Sequence, residues 1–453
     1  MIKSQSRYSS MKNFLMFLIG LSAFSGIAQD QTTFSLSEAE DYGVNNNEKM
    51  KNSLLDVEAA RKRVWETTAI GLPQISAEGS FQQLIDIPTQ VVDASLFNPM
   101  APPGEVMEFQ MGQEFTTGLT FNVNQLLFNG SYFVGLQFSK HWMKMNENNV
   151  ERTKFEIKAM VREAYYNVLV AQENLELMDS ILLSTEQLQK ETQVLYDNGF
   201  ILKEDADQIK LTLNRITNSK ITAERQVEIA MNLLKLQMGY DFDKELVLSE
   251  KLDDVLADML ADSPVTKDYN PQDNSNYQML NEQMVLDGFN VKNEKSKYYP
   301  SVSAFFSHSQ NAFRNEFNFF ADEPWYPTTV WGIGLQIPIT TSGQQMMKVQ
   351  QAEITVEKDQ NNIENLERTL EFQELQLKAE FQNAYDQMMI EKENVELARF
   401  IYSQALKKKK LGAISSLEVT QLQNQLLQAE GTYIGSIMKL FNVKIQLDKL
   451  FNQ

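Results

Sequence analysis

WGIGLQIPITTSG, at residues 331–343, contains the change of pattern from which the fold can be predicted. Its apolar side chains alternate with glycine, proline and polar residues as far as Ile339, and successive side chains of a β-strand point to opposite faces. After Gly343 the alternation ends, and residues 344–453 contain no proline. Because proline lacks an N–H donor and clashes with the preceding helical turn, its absence allows a helix over nearly all of this interval. The stretch therefore predicts a two-faced strand that leads into a long helix.

The same succession occurs earlier in the chain. Residues 117–123 alternate in the same way, and residues 131–240 also lack proline. Gly343 follows Gly130 by 213 residues, and Gly412 follows Gly199 by the same number. Chance similarity between two helical sequences does not preserve one offset between unlike landmarks, so the fixed period indicates an internal duplication.

The duplication predicts an order of segments. A signal peptide at 1–28 precedes a first repeat at 29–240, a linker at 241–275 and a second repeat at 276–453. Each repeat begins with a short helix, near 37–68 and 276–296. The remaining predicted segments are a β-hairpin at 74–128, a long helix at 131–198 and a return helix at 203–240, then a β-hairpin at 301–340, a long helix at 344–411 and a return helix at 415–451. Each long helix would extend roughly 100 Å at about 1.5 Å per residue.

The first residues are typical of a secretory signal. Lys3, Arg7 and Lys12 precede an apolar run from Phe14 to Ile27, and small residues stand near its end. The alternative is a retained N-terminal anchor. No later stretch approaches the roughly 20 apolar residues of a transmembrane helix, so any membrane insertion is expected to use β-strands.

Composition excludes several classes of function. The chain has no cysteine, which excludes disulfides, thiol catalysis and thiolate metal sites, and its net charge of −19 is unfavourable for binding nucleic acid. Its two histidines, His141 and His308, lie far apart in sequence, and there is no glycine-rich phosphate loop. We expect no enzyme, and no catalytic, cofactor or metal site. The 21 methionines are read as packing residues rather than ligands of a soft metal.

The two-faced strands are suited to a membrane. Transmembrane barrels use strands of about ten residues with an apolar side toward lipid and a polar side toward water. The residues expected to face lipid are Leu119, Phe121, Val123, Trp331, Ile333, Leu335 and Ile337. Four strands cannot close a barrel, since the smallest have about eight, so this interpretation requires an oligomer. The alternative is a soluble β-layer on a core.

The segments between the paired strands are predicted to be loops outside the cell. Residues 84–114 contain proline, methionine and acidic residues, and 309–329 are rich in aromatic residues. The aromatic side chains of 309–329 are expected to form a girdle at the membrane interface, or in part to pack together. They are Phe313, Phe317, Phe319, Phe320, Trp325 and Tyr326.

Short motifs at equivalent places complete the pattern. Leu72-Pro73 and Tyr299-Pro300 open the strands, the stretches 127–130 and 341–343 close them, and the turns around Gly199 and Gly412 are followed by acidic residues. In these motifs and in the order of its elements, the chain resembles the TolC family of outer-membrane efflux proteins over essentially the whole mature chain. The resemblance implies a mainly α fold with a small β part, in which three protomers form one 12-stranded transmembrane β-barrel and a long α-helical barrel projecting into the periplasm. The linker would form an equatorial belt.

The resemblance also implies a function. Members are passive exit ducts of tripartite efflux or type I secretion systems; their partners are a periplasmic adaptor (membrane fusion) protein and an inner-membrane transporter, and they contact outer-membrane lipid. The residues that match the adaptor-docking turns are Asn198, Gly199, Phe200, Ile201, Leu411, Gly412, Ala413 and Ile414. The cargo is not specified, and a rival hypothesis is an exported coiled-coil scaffold or adhesin without a pore.

Three residues stand at positions that correspond to the pore constriction of the family. Asp205 and Glu418 each stand six residues after a turn glycine. Gln421 occupies a position where the best-described members carry a second acid, and this departure weakens the expected double ring of carboxylates. The alternative role for Asp205 and Glu418 is helix capping, because the dipole favours an acid in the first turn.

Overall fold

The computed structural model describes residues 32–97, 99–261 and 268–452. The predicted signal peptide lies outside the described residues, as does part of the predicted linker. The described chain forms two compact units. The helical unit contains the residues up to Glu48, those from Glu156 to 261, and Lys378–Leu447; the sheet unit contains Lys49–Phe155, Asp268–Leu377 and the residues from Asp448 onward.

The helices account for most of the chain. They are α1 (Leu36–Asn46), α2 (Glu48–Ala69), α3 (Gly130–Asp197), α4 (Lys203–Met238), α5 (Leu252–Ala261), α6 (Ser275–Ser296), α7 (Gln344–Lys410) and α8 (Ser416–Phe451). The strands are β1 (Thr33–Phe34), β2 (Gln74–Gln83), β3 (Thr89–Asp93), β4 (Val106–Gln110), β5 (Phe115–Phe128), β6 (Val247–Leu248), β7 (Ser301–Arg314) and β8 (Tyr326–Gln336). The predicted class, mainly α with a small β part, is confirmed. None of the described helices combines the length and apolarity required to cross a bilayer.

The first short helix differs from the expectation of one helix near 37–68. It is divided into α1 and α2 at Asn47, whose backbone is extended, with φ −64° and ψ 136°. The Asn47 side chain donates a 2.7 Å hydrogen bond from Nδ2 to the carbonyl of Gln237, in α4. At the other end, α1 begins with a complete capping box between Ser35 and Glu38. A long-range contact therefore accompanies the break.

The sheet unit contains a four-stranded antiparallel sheet in the order β2-β5-β7-β8. Each neighbouring pair is in continuous register over ten or more residues, with one irregularity in β5 between Leu126 and Phe128. β2 and β8 are its edges. The segments predicted as loops are more ordered than expected, because β3 and β4 form a hairpin within 84–114 and β7 extends to Arg314.

In the helical unit, the segment after α4 folds back on β1, near the first described residues. β6 pairs in parallel with β1, and Val247 aligns with Thr33. The buried ring of Phe34 contacts those of Tyr42 and Tyr240 edge-on, with centroids 5.5 and 5.8 Å away. The predicted linker thus contains a strand and a helix, α5, with a buried apolar face.

Near the turns between its long helices, the helical unit has a continuous core. One residue from α3, one from α4, one from α7 and two from α8 form a buried cluster: Leu188, Ile209, Tyr402, Val419 and Leu426. Next to it, Gln423 donates a buried 2.6 Å hydrogen bond from Nε2 to the hydroxyl of Thr185. This core fixes the four helix ends and so positions both interhelical turns.

Candidate functional site at the interhelical turns and the sheet faces

The two interhelical turns have the same backbone geometry. Gly199 and Gly412 have φ of 77° and 71°, the left-handed region that glycine adopts at little cost. At the first turn, the amides of Gly199 and Phe200 donate to the carbonyls three and five residues earlier, both at 2.9 Å. Gly412 and Ala413 repeat both bonds at the same distances. These are Schellman motifs, so each long helix ends by the same local mechanism.

Apolar side chains are exposed at both turns. Phe200 retains 77% of its accessible surface and Leu411 retains 83%. Ile414 packs against the core cluster, and Ile201 is partly buried. The Asn198 side chain donates a hydrogen bond from Nδ2 to the carbonyl of Val194, so this carbonyl near the end of α3 has a side-chain partner. The predicted docking residues therefore combine a hydrogen-bonded turn backbone with exposed apolar side chains.

The predicted constriction residues lie in the first turns of the return helices. Asp205 is in the first turn of α4 and is partly buried, whereas Glu418 is in the first turn of α8 and is exposed. The Glu418 amide donates to Ser415 Oγ at 3.1 Å, so Ser415 caps α8. Gln421 is exposed one turn further along. The geometry is compatible both with a charged constriction and with favourable interaction of the acids with the helix dipoles.

A basic residue near Asp205 was not singled out from the sequence. Burial lowers the pKa of the Lys409 ammonium, and the negative charge of Asp205 partly opposes this effect. Lys409 Nζ also donates to Ser416 Oγ at 2.8 Å. Lys409 therefore joins the end of α7 to the start of α8. The run of four lysines at 407–410 was the available signal, but sequence alone does not show which of them turns inward.

The four-stranded sheet has one apolar face. Its register aligns Ile75, Val123, Phe306 and Trp331 in one row across the strands. Every residue predicted to face lipid that lies within the strands is on this face: Leu119, Phe121, Val123, Trp331, Ile333 and Leu335. Trp331 is 76% exposed and Ile333 is 64% exposed, so this face is largely uncovered within the chain. Ile337 lies just beyond the end of β8 and is also exposed.

The aromatic residues between the second pair of strands divide into two groups. Phe317 and Phe319 pack edge-on against Phe81, with centroids 5.7 and 5.8 Å away. In contrast, Phe320 is 98% exposed. Arg314 fixes the base of this segment, because its buried guanidinium lies 3.0 Å from the Glu323 carboxylate. Part of the predicted girdle is therefore internal packing.

The two histidines lie in unrelated surroundings. The His141 ring contacts that of Phe289, with centroids 4.9 Å apart, and His308 Nδ1 lies 2.8 Å from the hydroxyl of Thr329. Within the described parts of the chain, no group of three or more His, Asp or Glu side chains is arranged to hold a metal ion.

Comparison with known proteins identifies the family. A family model described as outer membrane efflux protein matches residues 44–240 and 289–452, which is most of the chain. The chain belongs to the outer membrane efflux protein family. The resemblance to TolC-like channels is thereby confirmed, and the protein is an outer-membrane efflux channel with a helical tunnel in the periplasm. The outer membrane efflux proteins are a family of passive channels and not of enzymes.

Solved structures of efflux channels share this fold. The outer membrane protein VceC of Vibrio cholerae is 13% identical, with a TM-score of 0.65 and coverage of 92% of this chain and 95% of that chain. The CmeC outer membrane channel of Campylobacter jejuni is 16% identical, with a TM-score of 0.68 and coverage of 92% and 85%. The open state of the MtrE outer membrane channel of Neisseria gonorrhoeae is 14% identical, with a TM-score of 0.65 and coverage of 92% and 88%. No curated protein sequence matches the chain significantly.

Proposed function

We propose that this chain forms a homotrimeric exit duct that passively conducts solutes or proteins out of the cell, as the outer-membrane part of a tripartite efflux or type I secretion system. The observation that carries the proposal is the four-stranded sheet, which combines an exposed apolar face with two open edges. In a bilayer, unpaired backbone groups at such edges are costly, so the edges must pair with other strands.

A trimer satisfies both edges at once. Four antiparallel strands leave β2 and β8 running in opposite directions, so β8 of one protomer can pair antiparallel with β2 of the next. Three protomers would supply twelve strands, above the lower limit of about eight for a closed barrel. The apolar face would then contact lipid, and the opposite face would line the lumen.

We place the adaptor contact at the interhelical turns. The exposed side chains of Phe200 and Leu411 lie beside hydrogen-bonded glycine turns, and apolar groups of this kind are common at the centre of protein interfaces. Asp205, Glu418 and Gln421 are then the candidates for the constriction. The lysine at 409, close enough to act on Asp205, is an added candidate for holding the helix ends together.

Membrane localisation tests the sheet assignment. In Ile333→Asp a charge replaces an apolar side chain on the face assigned to lipid, which opposes insertion, by less than the about 2–4 kcal/mol that an arginine or lysine costs at the midplane. The matched control is Thr328→Asp, on the opposite face of the same strand. We expect Ile333→Asp to be depleted from outer-membrane fractions and Thr328→Asp to be retained. Wild-type protein found in the inner membrane or the soluble periplasm would contradict the proposal.

Measurements of conductance and of adaptor capture distinguish the proposed duct from a scaffold or adhesin without a pore. The purified wild-type protein should conduct ions in planar bilayers, whereas a scaffold or adhesin without a pore should insert without conducting. Phe200→Glu combined with Leu411→Glu should abolish co-purification with the cognate adaptor while leaving insertion intact. Unchanged adaptor capture by this double variant would place the docking surface elsewhere.

A further inference from the structure

We propose that Glu78 is a charge filter within the outer-membrane barrel that favours cations and cationic solutes over anions, separately from the constriction at the interhelical turns. The inference rests on the proposed trimeric barrel. It assigns a role in specificity to a residue on β2, a strand with no part in the turns.

The register places Glu78 on the polar face of the sheet. Glu78 aligns with Thr120, which aligns with Ser309, which in turn aligns with Thr328. This row lies on the face opposite to Trp331 and Ile333. Because the apolar face is the one suited to lipid, the row of Glu78 would face the water-filled lumen.

Glu78 is the single charged side chain on that face. In the four described strands, the other polar-face positions carry Ser, Thr, Asn, Gln, Gly or apolar residues. The neighbours of Glu78 across the sheet offer hydroxyl groups and no positive charge. Its carboxylate is exposed, so it is free to act on solutes in the lumen.

The surrounding sequence supplies no compensating cation. Residues 64–139 contain seven acidic residues and not one lysine or arginine. In the second pair of strands and their connection, residues 298–347, Arg314 is the single cation, and it is paired with Glu323 on the apolar side of the sheet. The field of Glu78 is therefore not cancelled by a basic residue nearby in the sheet.

Trimerisation would multiply this charge. Three copies of Glu78 would lie at one level of the lumen, related by the threefold axis. A ring of one sign of charge between low-dielectric walls concentrates counter-ions and excludes ions of the same sign. The barrel would thus favour cations before any contribution of Asp205 or Glu418.

Ion selectivity in planar bilayers tests the inference. The permeability ratio of K⁺ to Cl⁻ is obtained from reversal potentials across a KCl gradient, at low salt to limit screening. We expect Glu78→Gln to lower this ratio at least about twofold, and Glu78→Lys to lower it further. Glu66→Gln, which removes the same charge from α2, is the matched control and should leave the ratio unchanged.

Moving the carboxylate along its row distinguishes a local charge from a general perturbation. In Glu78→Gln/Thr120→Glu, the acid stands on the neighbouring strand at the same level, so the ratio should return toward that of the wild type. All variants are also measured with Asp205→Asn/Glu418→Gln, which removes the two candidate constriction carboxylates. The effect of Glu78→Gln should persist there.

Two failures have different meanings. If the wild-type protein inserts but does not conduct, the proposed duct is wrong and the inference is lost with it. If it conducts, and neither Glu78→Gln nor Glu78→Lys changes the ratio in either background, the duct stands and the role of Glu78 is overturned.

Discussion

Gly239 has no side chain, and this allows two segments of the helical unit to pack closely. It ends α4 with φ 67°, and a Cβ at this position would lie 2.8 Å from the carbonyl oxygen of Asn46. The backbone of Asn46 cannot yield as a flexible side chain can. We expect Gly239→Ala to destabilise the protein by about 1–3 kcal/mol through backbone strain, with a further loss from the contact.

The measurement is the midpoint of thermal unfolding, followed by circular dichroism. Gly288→Ala is the control, because Gly288 lies within α6 and no atom lies within 4 Å of its added Cβ. Alanine there should stabilise the helix by about 0.5–1 kcal/mol. Equal midpoints for Gly239→Ala and the wild type would contradict the assigned role of Gly239.

Asp359 is predicted to make stability depend on pH. Burial raises the pKa of this carboxyl above its ordinary value of 3.8, and the charge of Asp287 raises it further. The folded protein therefore retains this proton to higher pH than the unfolded chain, so ionisation of Asp359 destabilises the fold near neutral pH. As pH falls through the raised pKa toward 3.8, protonation relieves that destabilisation.

Asp359→Asn removes this titration. The variant should unfold at a higher temperature than the wild type near neutral pH, and the difference should shrink as the pH approaches 3.8. Glu357→Gln, two residues away and exposed, is the control and should show no such convergence. A pH-independent difference between Asp359→Asn and the wild type would refute the prediction.

Arg399 and Glu430 form an ion pair between α7 and α8. The Glu430 side chain is 4% exposed and receives the Arg399 Nε–H at 2.5 Å, whereas the Arg399 side chain remains largely in solvent. The carboxylate of the pair is thus buried, whereas most of the arginine side chain is exposed to solvent. Removing arginine leaves a buried carboxylate without its donor, which costs about 1–3 kcal/mol, but removing the carboxylate leaves an arginine that water can solvate.

This asymmetry gives an ordered set of stabilities. Thermal unfolding should place Arg399→Ala below Glu430→Gln, and the double variant Arg399→Ala/Glu430→Gln above Arg399→Ala alone. The double variant serves as the internal control, because it removes the pair without leaving a buried charge. If it is less stable than Arg399→Ala, the buried carboxylate is not the source of the loss.

For the whole molecule, the edges of the sheet predict links between protomers. The chain has no cysteine, so cysteines introduced on β2 and β8 are the sole thiols. β5 and β7 separate these two edges within one protomer. We therefore expect pairs scanned along both strands to include some that give disulfide-linked dimers and trimers on denaturing gels, since closure of the barrel brings β8 of one protomer beside β2 of the next.

Pairs of cysteines on β3 and β4 provide the control, because these strands pair within one hairpin and should form links inside the chain. Failure of every β2–β8 pair to link protomers, in a protein that still conducts, would show that the barrel closes through other strands.

Most of the strand and turn features of this protein could be inferred from local sequence. The alternation at 331–335 predicted which side chains share a face, because successive side chains of a regular strand point to opposite faces. The change of pattern after Gly343 indicated the start of a long helix, and glycine is the residue that most often occupies the left-handed position at a helix end. These are properties of a few consecutive residues, so they could be predicted without knowledge of the rest of the fold.

Features that depend on contacts between residues distant in sequence required the three-dimensional structure. The break at Asn47 accompanies a hydrogen bond to Gln237, and Lys409 lies near Asp205 because the core cluster brings two hairpins together. The register of all four strands was needed to show that Glu78 is the one charged residue on its face of the described sheet. Sequence alone could not supply these facts, since pairing partners are chosen by the packing of the whole unit and not by local conformational preference.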